Sequence, residues 1–202
     1  GKKFGTGVPG ALNQVIGGWQ VATIGDWRGG NWLSVNSARY VFADPALSPD
    51  QRPEMNINGL RQRLWFRGDV DLRSATNVSG VDPISLVPVD RSQRVVRPLG
   101  PAFDNRLPQI LANGTTRLTS ITDMYNPSPR GFIIGPGAWN LDLALYKNFR
   151  FSESMNLRFS ADFFNFFNHP NYDNPNNTTG LQNIARQSNS PRIIQFTLRF
   201  AF

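Results

Sequence analysis

The sequence predicts an all-β chain of antiparallel strands built to cross a bilayer, and three observations carry that prediction. Apolar residues recur at every second position through the C-terminal third, which is the period of a strand with one apolar face. The runs are long, about 11 to 13 residues against the usual 5 to 6 of soluble sheets, and a tilted strand crossing a bilayer needs such length. Aromatic residues gather in the same stretch: ten of the 15 Phe lie after Ala138.

From Trp139 to Phe151 the odd positions Trp139, Leu141, Leu143, Leu145, Phe149 and Phe151 oppose Asn140, Asp142, Asn148 and Arg150. Lys147 interrupts this apolar face two same-face positions from the strand end, where a lysine can snorkel toward headgroups. Ser152-Glu153-Ser154 is a short polar link that predicts a tight antiparallel connection. Met155, Leu157, Phe159, Ala161 and Phe163 then oppose Asn156, Arg158, Ser160 and Asp162. A polar loop runs from His169-Pro170 to Ser190-Pro191, after which Ile194, Phe196, Leu198, Phe200 and Phe202 alternate with Gln195, Thr197 and Arg199. Trp19, Val21, Thr23 and Trp27 give a weaker fourth strand near the start. The cluster Phe163, Phe164, Phe166 and Phe167 sits at a strand end, where an aromatic girdle belongs. Pattern alone leaves a soluble β-sandwich with a Phe-rich core as the alternative.

Composition narrows the function. The 202 residues carry 21 Lys+Arg against 14 Asp+Glu, a net charge of +7, with one His and no Cys. Disulfides, zinc ribbons, iron–sulfur centres and thiol chemistry are excluded, and one histidine cannot build a multi-histidine metal site. The cations are scattered singly among Asp and Glu, with no basic run and no stacking module, so nucleic acid is not an expected partner. No window approaches about 18 uninterrupted apolar residues, which excludes a transmembrane helix.

Several segments resemble the C-terminal barrel segment of TonB-dependent outer-membrane receptors, in particular the Oar-like receptors of acidobacteria. They are Ile16-Gly17-Gly18-Trp19-Gln20-Val21, the run from Gly135-Pro136-Gly137 through Phe149, the run from Leu157 through Phe163-Phe164-Asn165-Phe166-Phe167-Asn168-His169-Pro170-Asn171-Tyr172, and Pro191-Arg192-Ile193 to Phe202. The match is specific over the last 70 or so residues and loose over 37–134, where Gln51-Arg52-Pro53 and Trp65-Phe66 carry it. The resemblance implies that this chain is a fragment of a larger barrel of about 22 strands, with a plug and a TonB-contacting box upstream. Phe196, Leu198, Phe200 and Phe202, in phase and ending on an aromatic residue, resemble the signal by which the barrel-assembly machinery recognises such proteins.

Candidate chemistry is sparse. His169 precedes a proline and reads as a loop residue. Asp173-Asn174-Pro175-Asn176-Asn177 lacks the carboxylates of a calcium loop and reads as a turn. Asp142 and Asp162 lie on the polar strand face, where pairing with Arg150, Arg158 or Arg199 is expected rather than acid catalysis. Asn77-Val78-Ser79, Asn113-Gly114-Thr115 and Asn177-Thr178-Thr179 match the glycosylation pattern, which carries meaning only in a eukaryotic protein. Arg61, Arg63 and Arg67 surround Trp65 and Phe66, chemistry suited to an anionic or sugar-like ligand, so Arg61, Arg63, Trp65 and Arg67 are the candidate ligand-binding residues.

The expected organisation is therefore residues 1–36 as a strand end, a periplasmic turn and one strand; 37–138 as one very long extracellular loop, functional or disordered; and 139–202 as three C-terminal barrel strands. Residues 152–154 and about 5–16 would face the periplasm, and about 29–138 and 168–190 the outside. The expected function is non-catalytic: uptake of a large scarce solute (siderophore, vitamin, oligosaccharide or peptide) across a Gram-negative outer membrane, with no cofactor or metal. Its partners would be outer-membrane lipid, the assembly machinery, and TonB through upstream sequence. The alternative is a secreted β-domain for adhesion or glycan binding, with Trp27, Trp32 and Trp65 as stacking platforms.

Overall fold

The computed structural model describes residues 17–36, 39–98, 106–120, 131 and 133–202. In chain order the strands are β1 (Trp19–Arg28), β2 (Trp32–Leu33), β3 (Tyr40–Val41), β4 (Glu54–Ile57), β5 (Leu60–Leu64), β6 (Ala75–Val78), β7 (Val96–Arg97), β8 (Arg106–Ile110), β9 (Thr116–Ser120), β10 (Ile133–Ile134), β11 (Ala138–Arg150), β12 (Asn156–Phe164), β13 (Leu181–Asn183) and β14 (Ile193–Ala201). The chain divides into two compact units, one of residues 1–28, 138–171 and 189–202, the other of residues 29–137 and 172–188.

The first unit is one antiparallel sheet in the order β1-β11-β12-β14. It contains the four runs read from alternation, each pairing with the next in the chain's own strand order. The expected length holds for β11, at 13 residues, while β12 and β14 have nine each. Both shortenings have local causes. Asn165 takes a left-handed conformation, φ 50°, and its N–H turns onto the Asp142 carboxylate, ending β12. Pro191 has no N–H to give a ladder, so β14 starts after it. Nine residues still satisfy a tilted crossing, which takes about 9 to 11. Among the described residues β1 and β14 each pair on one side only, so four strands form an open sheet and not a closed barrel.

The chain leaves this sheet twice from the same end, after Arg28 and after Phe164, whereas β11 and β12 are joined at the other end by Phe151 to Met155. There the Phe151 N–H donates to the Met155 carbonyl at 3.1 Å.

Both departures feed the second unit, so the stretch expected as one long loop is a folded body. It includes residues 172–188 as well as most of 37–138. Its principal sheet runs β13-β5-β4-β6. Asn58 and Gly59, at φ 51° and 78°, close the β4–β5 hairpin with the positive φ values that an Asn-Gly turn supplies. Met55 and Ile57 alternate inward from β4 and pack with Leu47, Leu64, Val70, Leu72 and Val87. A second cluster joins Val35, Trp65, Phe66, Val96 and Ile133. The late segment is stitched in by backbone: Trp65 N–H donates to the Gly180 carbonyl and Asp69 N–H to that of Thr178, both at 2.8 Å. Gly180, φ 75°, lies so close to Phe66 that a Cβ would overlap its carbonyl oxygen.

Candidate membrane-spanning surface

Register decides which residues share a face. Across the first sheet, Trp19 faces Lys147, Lys147 faces Phe159 and Phe159 faces Leu198; Leu145, Ala161 and Phe196 form the next row with Val21. The face so defined carries Trp19, Val21, Trp27, Trp139, Leu141, Leu143, Leu145, Phe149, Leu157, Phe159, Phe163, Ile194, Phe196, Leu198 and Phe200, together with Lys147, its one charged residue. The other face carries Gln20, Asp26, Asn140, Asp142, Asn148, Arg158, Ser160, Asp162, Gln195, Thr197 and Arg199. The apolar side is open: Trp27, Phe196 and Leu198 are each about two-thirds exposed. Water would oppose so large an uncovered apolar surface, whereas hydrocarbon is its natural solvent.

Aromatic residues mark both borders of this surface. At the end where the chain leaves for the second unit, Trp27 stacks parallel to Trp139 with centroids 6.3 Å apart, and Phe167 meets Trp139 edge-on at 5.8 Å. Phe166 bridges Phe163 and Phe167, at 5.7 and 5.1 Å. His169 stacks on Trp139 at 4.1 Å, so the lone histidine belongs to this aromatic border. At the other end Trp19, Phe159 and Phe196 form a chain of contacts at 6.3 and 6.2 Å. From Trp139 to Phe149 the strand climbs about 24–28 Å at about 3.4 Å per residue and a tilt of about 35–45°, close to the roughly 25 Å apolar band of outer-membrane barrels.

Lys147 lies inside the lower border and is 2% exposed. Its ammonium donates to the Gly17 carbonyl and stands 5.3 Å from the Trp19 ring centroid and 5.2 Å from that of Phe149. The charge is thus met within the protein by a carbonyl and two ring faces, and does not depend on reaching headgroups.

Asparagines finish the upper border. Asn165 accepts from the His169 N–H at 2.9 Å and donates to the carbonyls of His169 and Ser190, both at 3.1 Å. Asn171 accepts from the Trp139 N–H and donates to the Trp139 carbonyl, both at 3.1 Å. Its own N–H donates to Asn189 Oδ1 at 2.8 Å. The repeated Asn of residues 165–171 is the sequence trace of this network, and sequence reasoning noted the phenylalanines between them instead.

The expected sites fall as follows. Phe163, Phe166 and Phe167 join the border cluster, but Phe164 lies on the opposite face, one strand position out of phase with Phe163. Phe196, Leu198 and Phe200 share the apolar face of β14 and Phe202 follows it, stacked on Phe200 at 5.9 Å. Asp142 accepts from Asn140 Nδ2 and the Asn165 N–H, and Asp162 from Ser160, in place of the arginine partners expected. Arg158 instead lies over Tyr146, 4.7 Å from its centroid.

In the second unit Arg61 and Arg63 both bind Glu54, at 2.5 Å, and hydrogen bonding led by Arg63 holds that carboxyl below its ordinary range. Arg67 donates to the Asp44 carbonyl at 3.2 Å. Trp65 is 7% exposed, its Nε1 donates to the Ile134 carbonyl at 2.8 Å, and Arg52 covers its ring at 3.8 Å. Trp65 therefore offers no stacking platform, because it is part of the core, while Trp27 and Trp32 are exposed. Sequence reasoning missed the neighbouring charge cluster, in which Arg39, Arg91 and Arg94 all bind Asp69, at 2.8, 2.5 and 3.0 Å. Burial pushes the Asp69 carboxyl up, but hydrogen bonds from Arg91, Arg94 and Arg39 and the charge of Arg91 outweigh it and leave the group below its ordinary range.

Comparison with curated proteins and with solved structures returned no match. Residues 1–195 match the family described as outer membrane beta barrel domain. With a sheet of tilted-span length, one apolar face and aromatic borders, the chain belongs to that family, whose place is the bacterial outer membrane.

Proposed function

We propose that this chain is the C-terminal barrel part of a TonB-dependent receptor that imports a large, scarce solute such as a siderophore, a vitamin, an oligosaccharide or a peptide. The observation that carries the reading is the asymmetry of the connections. Both long excursions depart from one end of the sheet and contribute to a folded unit with two hydrophobic clusters, while among the described residues the connection at the opposite end is a tight turn. A barrel that only anchored itself would not need so much ordered chain at one end; capture of a bulky solute does, and long loops of that kind are the usual bearers of binding function. The resemblance of residues 135–149, 157–172 and 191–202 to such receptors supports the same reading. Transport energy would come from the inner membrane, and no catalysis is assigned to any residue of this chain.

The test is uptake in the source bacterium by strains lacking this gene or lacking TonB, offered labelled ferric siderophores, cobalamin, oligosaccharides and peptides in parallel. Loss of uptake of the same solute in both strains is the expected result. Uptake of every solute that is unaffected by the gene, or that persists without TonB, contradicts it.

A further inference from the structure

On the polar face of the first sheet there is a depression of about 180 Å³. Small or apolar side chains form its walls, with Ala22 and Ile24 from β1, Ala144 from β11 and Phe164 from β12. Two carboxylates, Asp142 and Asp162, line the same hollow. Register explains the hollow itself: Ala22 sits directly opposite Ala144, so two adjacent strands present methyl groups where neighbouring rows present larger side chains.

The carboxylates are only partly used. Asp142 accepts both its bonds, from Asn140 and the Asn165 N–H, on Oδ1 at 2.8 Å; Asp162 accepts one long bond, from Ser160 at 3.3 Å, on Oδ2. Among the described residues neither forms an ion pair. Of the arginines of this face, Arg158, facing Arg199 across β12 and β14, and Arg150, ending β11, stand toward the opposite end of the strands, and Arg28 at the near end is paired with Asp26 at 2.9 Å. Arg158 reaches only as far as the Tyr146 ring, a further wall of the hollow. The two acids are thus left facing an apolar recess in a chain whose net charge is +7.

From this juxtaposition we infer that the depression binds an organic cation, a guanidinium on a short aliphatic stem, carried by a solute that reaches the polar face of the barrel. The planar fork would span Asp142 Oδ2 and Asp162 Oδ1, which suits paired donors to carboxylates. The stem would lie against Ala22, Ala144 and Ile24, and Phe164 offers a ring for the cation. The inference rests on the barrel reading and, in its solute, on the import reading above.

The test uses the full-length protein in bilayer nanodiscs, with N-acetylarginine amide as probe and N-acetylcitrulline amide as its neutral isostere, followed by calorimetry. Saturable binding of the arginine probe and at least tenfold weaker binding of the citrulline probe are expected. Asp162→Asn should weaken the arginine probe at least tenfold. Ala144→Leu, which fills the recess and leaves both acids in place, should do the same. Each variant is first checked for its folded, heat-modifiable mobility. Equal binding of the two probes, no binding of either, or unchanged affinity in both folded variants overturns the inference. Binding as expected, together with uptake of the arginine probe that is indifferent to TonB, would refute the import reading and leave the site standing.

Discussion

Asn171 gives and receives one hydrogen bond with the backbone of Trp139, each of 3.1 Å, so a side-chain amide supplies the ladder where β12 has already turned away. An amide carries a donor and an acceptor at nearly the spacing of a peptide group, which is why Asn can stand in for a strand. The Trp139 ring on that same residue holds Trp27, Phe167 and His169. Asn171→Ala should therefore leave two backbone groups without these partners and loosen the aromatic border. A loss of about 1–3 kcal/mol is expected, read as a lower denaturant midpoint in lipid vesicles. An unchanged midpoint would show that water or lipid headgroups replace the amide at no cost.

The two faces of β14 make a controlled comparison, because Leu198 and Thr197 are adjacent and both exposed. Leu198→Arg should cost about 2–4 kcal/mol if its row lies near the bilayer midplane, and Thr197→Arg close to nothing. Equal losses at both positions would mean that the apolar face packs against protein. Ser160 is a poor control for the polar face, since it is buried and an arginine there would have to displace its neighbours.

Lys147 separates a structural charge from a headgroup anchor. Its ammonium is held by the Gly17 carbonyl and the rings of Trp19 and Phe149, so Lys147→Glu places an anion against a carbonyl and two electron-rich ring faces. That variant should assemble poorly, while Lys147→Met, which removes the charge and keeps the stem, should remain within about 1 kcal/mol of the parent. Heat-modifiable mobility of outer-membrane fractions reads both. Poor assembly of the methionine variant would make the charge itself essential.

The Asp69 cluster predicts acid sensitivity of the second unit. Its carboxyl titrates below the ordinary range in the folded state, so the unfolded chain binds its proton first as pH falls. The stabilisation is complete above about pH 4, the unfolded value, and is lost as pH drops through the lower folded value. Protease resistance of residues 39–98 should fall over that acid range, and Asp69→Asn should weaken the dependence, the remainder coming from other carboxyls of the unit held below their ordinary range, Glu54 and Asp71 among them. At neutral pH the same variant strands three guanidiniums, two of them largely buried, at a cost of about 3–5 kcal/mol. Resistance that is flat from pH 7 to the folded value would show the cluster to be dispensable.

The first sheet was legible because a membrane strand writes its environment at every second residue, and β11, β12 and β14 keep that phase with Lys147 as the one charged exception. The same phase already placed Phe164 opposite Phe163; grouping the phenylalanines by proximity in sequence obscured it. Within the second unit two local signals were available, the first being Asn58-Gly59 between the alternating segments Met55-Asn56-Ile57 and Leu60 to Leu64. Asn113-Gly114 likewise turns the chain between β8 and β9, with Gly114 at φ 80°. The rest had no local signature. β13 has three residues and pairs with β5 across more than a hundred positions, and Trp65 lies in a segment punctuated by Arg61, Arg63 and Arg67 yet inside a core. Such burial is set by long-range pairing, which neither periodicity nor turn chemistry encodes. Arg61 and Arg63 suggested an anion site, and their shared partner Glu54 lies beyond the hairpin turn, visible only once β4 and β5 are paired.

The central claim is that the first sheet crosses the outer membrane with both long excursions outside and the β11–β12 turn within. Single cysteines at Ser152 and Asn177, both exposed positions in a chain without native cysteine, report it directly through a membrane-impermeant maleimide on intact cells. The account predicts that Asn177→Cys is labelled at once and Ser152→Cys only after the outer membrane is permeabilised. Labelling of Ser152→Cys on intact cells with Asn177→Cys protected would contradict it.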